Sequence, residues 1–169
     1  MRYPMLQLII EDVKKLTDLL FVQETFDRFL MSEAHFVTGI TIDLDGTLNS
    51  DYYDTDEFSA LFDQRTVTWG NMKKLCFQII KGRKLPKRFR IVLKLAEADI
   101  PAWIAKNGLN LASETVKGLF ITFRYENQQL SCTSGTALSV FTLDKSLEQA
   151  WDGQMVRMFK TIDVAVREA

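Results

Sequence analysis

Apolar residues recur along this chain first at helical spacing and then, over long stretches, at every second position. Val13, Leu16, Leu19 and Leu20 follow Glu11 and Asp12, which predicts a first helix over residues 11–22 with acids at its positive end. Residues 29–44 are rich in β-branched and aromatic side chains and read as one or two strands, with Thr38, Ile40, Ile42 and Leu44 sharing a face. Asp45-Gly46 predicts a tight hairpin turn, with residues 48–53 returning antiparallel. Trp69, Met72, Leu75, Cys76, Ile79 and Ile80 form the apolar stripe of a second helix, capped by Thr66 or Thr68 and ended at Lys81-Gly82. Pro86 then opens a strand in which Phe89, Ile91, Leu93 and Leu95 alternate with Arg88, Arg90, Val92 and Lys94.

Residues 97–115 are polar and irregular, with one short helical turn expected at Trp103. A three-strand meander follows: Leu119, Ile121, Phe123 and Tyr125 alternate with Phe120, Thr122 and Arg124, Glu126-Asn127 turns into residues 130–133, and Ser134-Gly135 turns into 138–143. Leu147, Trp151, Met155, Met158 and Ile162 mark a last helix beginning near Ser146. The pattern predicts one α+β domain over residues 1–169, with a largely antiparallel sheet of about five to seven strands and about three helices.

Composition agrees with a folded chain: 47% of the 169 residues are apolar and 11% aromatic, and Pro is sparse. The longest apolar stretch, residues 16–22, contains Thr17 and Asp18 and falls far short of the roughly 20 residues that span a bilayer. Glu11 and Asp12 interrupt the place where an export signal would carry its apolar run. Cys76 and Cys132 are isolated and flanked by apolar residues, as buried thiols of a reducing compartment are. A cytoplasmic protein without a membrane partner is expected.

Charge changes this picture, although the net value is only −1. Residues 38–64 hold seven acids (Asp43, Asp45, Asp51, Asp54, Asp56, Glu57 and Asp63) and no Lys or Arg. Residues 65–96 hold ten bases and no acid. The run 81–90, with Lys81, Arg83, Lys84, Lys87, Arg88 and Arg90, combines a glycine- and proline-held loop with the planar donors that suit phosphate or carboxylate. It lacks the glycines and the Gly-Lys-Ser/Thr ending of a P-loop. Two readings stay open: the basic stretch neutralises the acidic one within the chain, or it receives an external anion.

Residues 40–48, with Asp43-Leu44-Asp45-Gly46-Thr47, resemble the first motif of the haloacid dehalogenase superfamily. That resemblance implies Asp43 as a nucleophile toward phosphorus and Asp45 as general acid and base, both assisted by magnesium. It covers nine residues, and no Gly-Asp-x-x-x-Asp or aspartate pair follows downstream to complete a metal site. The terminal meander is also unlike the alternating strands and helices of that fold. His35 is the only histidine, which excludes sites needing two, and its expected setting is a strand surface. The hydroxyl-rich run 131–136 reads as polar strand edges around a turn.

Over most of the chain, further segments resemble a family of uncharacterised proteins from clostridia and related Firmicutes, a domain of unknown function. They are residues 45–49, residues 80–86 running into 89–93, Phe123-Arg124-Tyr125-Glu126, and residues 141–145 with Trp151-Asp152. The resemblance implies no activity, cofactor or catalytic residue. The functional expectation is a non-enzymatic binding module, without metal or cofactor, for nucleic acid or an acidic protein surface. Its candidate anion-binding residues are Lys81, Arg83, Lys84, Lys87, Arg88, Arg90 and Lys94. An overall pI near 5.9 gives nucleic acid less support than the local run does. The alternative is a magnesium-dependent phosphohydrolase using Asp43 and Asp45.

Overall fold

The computed structural model describes residues 6–54, 56–57 and 65–169. Among them the strands are β1 (Gln7–Ile10), β2 (Leu30–Val37), β3 (Thr41–Asp45), β4 (Arg88–Lys94), β5 (Val116–Glu126), β6 (Gln129–Leu138) and β7 (Val166–Glu168). The helices are α1 (Val13–Phe21), α2 (Trp69–Ile80), α3 (Ile100–Lys106) and α4 (Ser146–Thr161). The strands form one sheet in the order β3-β2-β4-β5-β6-β1-β7, and each neighbouring pair is antiparallel. This is the α+β architecture expected from the alternation, with α3 standing where one short helical turn was expected at Trp103.

Local chemistry explains most boundaries. Asp12 caps α1 by accepting the Lys15 N–H at 3.1 Å, and of the two threonines expected to cap α2 it is Thr68 that accepts from Asn71, at 3.3 Å. Pro86 supplies no donor, and the adjacent Lys87 N–H makes the first tie of the β4 segment to Val37 at 2.8 Å. Within β4, Phe89, Ile91 and Leu93 are buried while Arg88 is exposed and Arg90, Val92 and Lys94 are half-buried. The alternation thus separates a core face from an open face, as read from the sequence.

The core face packs under α1, α2 and α4. Phe36, Ile91, Leu93, Leu119 and Phe123 are fully enclosed there, each contributing about 1.5–3 kcal/mol of burial. Two buried tryptophans use their polar handles: Trp69 Nε1 donates to the Leu20 carbonyl at 2.7 Å, and Trp151 Nε1 to that of Phe120 at 2.8 Å. Trp69 and Cys76 lie buried on α2, whereas Leu75, expected in the same stripe, is exposed. Both cysteines are buried and free, and burial pushes the Cys76 thiol up to about 12 and that of Cys132 upward as well.

Two expectations are corrected and one pair of strands is added. Asp45-Gly46 is not a hairpin turn: β2 and β3 make the hairpin around residues 38–40, and residues 50–52 form a 3₁₀ turn instead of a returning strand. Gly46 is needed because a Cβ there would stand 1.7 Å from the Met31 carbonyl oxygen. Its N–H donates to Ser32 at 3.0 Å and its carbonyl accepts from Val67 at 2.8 Å, so the chain is squeezed between two segments. Second, Ser134-Gly135 does not turn; β6 runs through it to Leu138, and residues 139–143 form a loop with Phe141 and Leu143 exposed. The short outer strands β1 and β7 complete a sheet edge that local patterning does not reveal.

Candidate anion site on the open face of the sheet

Register determines which polar residues meet on the uncovered face. Asp43 of β3 stands opposite His35 of β2, His35 opposite Arg90 of β4, Arg90 opposite Arg124 of β5, and Arg124 opposite Ser131 of β6. Partners across an antiparallel ladder share a face, with Cβ atoms about 4.5–5.5 Å apart. Five residues drawn from positions 35 to 131 of the sequence therefore make one transverse row that includes two neighbouring arginines.

The row is ordered from one end. His35 Nδ1 and Asp43 Oδ1 are 2.5 Å apart, and Arg90 Nη2 lies 3.4 Å from Glu33 Oε1 on β2. The Nε of Arg90 is shut off from solvent and meets no acceptor, an arrangement that costs about 1–3 kcal/mol. Arg124 is exposed, and among the described residues no acid lies within 4.0 Å of it. Two arginines directly opposite across the ladder, one with an idle donor and the other without an acid within 4.0 Å among the described residues, leave positive charge incompletely compensated. A cavity of about 240 Å³ is lined by both arginines, with His35, Arg88, Phe89, Tyr125 and Glu126 also on its wall.

The seven bases expected to bind an anion fall into three places. Lys81 closes α2, where its N–H donates to Phe77 at 2.8 Å, and Arg83, Lys84 and Lys87 continue along the exposed loop leading into β4. Arg88 and Arg90 line the cavity. Lys94 shares their face but lies opposite Leu30 and Phe120, four residues and about 13 Å from Arg90. Arg124 and His35 were not among the seven. Arg124 alternates with buried residues in the sequence, but that pattern does not say which strand lies beside β4.

Of the two readings left open by the charge pattern, neutralisation of the acidic run by the basic run is not seen in the ion pairs of the described residues. Arg90 pairs with Glu33, and Lys73 is buried and pairs with Asp27, both acids from outside the run. Asp63 lies outside the described residues. Asp45 is occupied in its own turn: its Oδ1 accepts the Thr47 N–H at 2.8 Å, which holds its carboxyl below the ordinary value. Asp43 and Asp45 both project from β3, at the end of an antiparallel sheet. Among the described residues no group of three or more His, Cys, Asp or Glu side chains is placed to hold a metal ion.

These features define an α+β protein with helices covering one face of a seven-stranded antiparallel sheet and an arginine-centred cavity on the other. The chain belongs to a family of unknown function, DUF5721, whose model matches residues 19–166. No curated protein and no solved structure matches it. Among the described residues no helix is long and apolar enough to cross a membrane.

Proposed function

We propose that this protein is a non-catalytic binding module that receives an anionic partner on the basic loop and strand of residues 81–94. The observation carrying the reading is that Arg90 and Arg124 stand opposite each other and line one cavity, and that the described residues leave them incompletely neutralised. Exposed Lys81, Arg83, Lys84 and Lys87 extend positive charge from the cavity along the approaching loop. Such a layout raises the local anion concentration and the rate of encounter.

An acidic protein segment suits this surface better than a length of nucleic acid. The basic area is short, bounded by Glu33, Asp43 and Glu126, and the overall pI is near 5.9, neither of which fits the long, evenly charged backbone of a nucleic acid. The test is a titration of a fluorescent poly-glutamate and a single-stranded DNA of equal charge over a salt series. The reading requires poly-glutamate binding that weakens with salt and weakens further in Lys84→Ser/Lys87→Ser. Preference for DNA would assign the partner to nucleic acid instead. Magnesium-dependent hydrolysis of a phosphate ester, abolished in Asp43→Asn, would replace the reading with phosphoryl transfer.

A further inference from the structure

We infer that the cavity lined by Arg90 and Arg124 takes a phosphate monoester, the compact doubly charged head of a phosphorylated ligand. The inference rests on the anion-binding reading and narrows it to one chemical group and one place.

Geometry favours a compact head. Arg90 and Arg124 stand directly opposite on adjacent strands, so two planar donor forks flank one space and can take separate oxygens of one group. Glu33 holds Arg90 from the β2 side at 3.4 Å, which leaves the idle Nε as a donor that a small rotation of the guanidinium would offer to an incoming oxygen. Among the described residues Arg124 has no ion pair to give up before binding. Like charges facing each other across a ladder repel, and a dianion between them turns that repulsion into attraction.

Charge at the margin argues against a diester. Glu126 lines the cavity, and Asp43 stands beyond His35 in the same row. A phosphodiester continues in two directions and would run one arm toward a carboxylate, whereas a monoester needs a single exit. The exposed loop with Arg83, Lys84 and Lys87 precedes the Arg88 end of the cavity and offers that exit to an acidic continuation. This one chemistry has two sources: a phosphorylated side chain of a protein, or a small phosphorylated metabolite.

Calorimetric titration of the full chain with phenyl phosphate, dimethyl phosphate, a phosphoserine peptide and its unphosphorylated form tests this. Phenyl phosphate should bind at least tenfold more tightly than dimethyl phosphate, and Arg124→Gln should weaken it at least tenfold. Arg124→Lys should recover only part of the loss, because an ammonium lacks the planar fork. Arg124 is exposed, and among the described residues no side-chain hydrogen bond or ion pair holds it, so its variants should unfold at or slightly above the native temperature, which separates lost binding from lost structure. A phosphoserine peptide tenfold tighter than phenyl phosphate would identify a protein source, and equal affinity a small metabolite. Equal binding of dimethyl phosphate, or no effect of Arg124→Gln, would overturn the inference. Salt-sensitive poly-glutamate binding without phenyl phosphate binding would overturn it while leaving the anion-binding reading in place; failure of both would remove both.

Discussion

Lys73 and Arg90 come from the same run of bases and end in opposite circumstances. Lys73, on α2, is 8% exposed, and its ammonium donates to the Gln23 carbonyl at 2.9 Å and to both carboxylate oxygens of Asp27 at 2.8 and 2.9 Å. All three donors are used, so the charge is tied into the packing of α2 against the segment after α1. Arg90 has one contact at 3.4 Å, a second donor idle, and another arginine beside it. A run of like charge is therefore not one object. Lys73, turned inward on a helix, finds partners and holds the fold, while Arg90, on the open face of a strand, stays incompletely paired.

That contrast can be broken most sharply at Asp27. Asp27→Ala leaves Lys73 buried without its counterion and should cost about 3–5 kcal/mol of stability in urea unfolding, with anion affinity of the folded fraction unchanged. Lys73→Met/Asp27→Leu, which removes both charges, should restore most of that loss. A negligible effect of Asp27→Ala would show that the pair is not structural. Gly46→Ala is the next largest, because the new methyl collides with the Met31 backbone; a loss of about 1–3 kcal/mol is expected from overpacking. The same substitution would be nearly harmless if residues 45–46 were an ordinary open turn.

Arg124→Gln should behave in the opposite sense to Asp27→Ala. Without ligand, relief of the Arg90 repulsion should stabilise the chain by about 0.2–1 kcal/mol, while anion binding falls. Cys76 gives a smaller kinetic signature: with its thiol pushed up to about 12, it should react with a thiol reagent at pH 8 only as fast as the protein opens. Asp45 gives the smallest. Its carboxyl is held below 3.8 by the Thr47 N–H, so the stabilisation is present above that pH and fades as pH falls through the folded value. The difference in stability between the native chain and Asp45→Asn should be constant near neutrality and shrink below pH 4.

Much of the architecture was legible because two-residue alternation is a direct imprint of a sheet with one covered face. Phe89, Ile91 and Leu93 against Arg88, Arg90 and Lys94 gave β4 and its basic side without any knowledge of neighbours. Gly46 misled because glycine before a threonine looks the same whether it serves a turn or a close backbone approach, and only the position of Met31 distinguishes them. Strands β1 and β7 were missed because such short edges derive their order from pairing with β6 and with each other. The candidate site was half visible for a related reason. Arg88 and Arg90 are contiguous with the basic loop, but Arg124 and His35 join them only through strand order and register, which are long-range properties.

The central claim is that the open face, at the Arg90–Arg124 pair, is where this protein meets an anion. Backbone amide NMR of the labelled chain titrated with phenyl phosphate tests it most directly. Saturable shifts concentrated at His35, Arg88 to Ile91 and Phe123 to Tyr125, and lost in Arg124→Gln, are the expected result. Shifts absent from β4 and β5, or gathered on Asp43 to Thr47 only when magnesium is added, would contradict it.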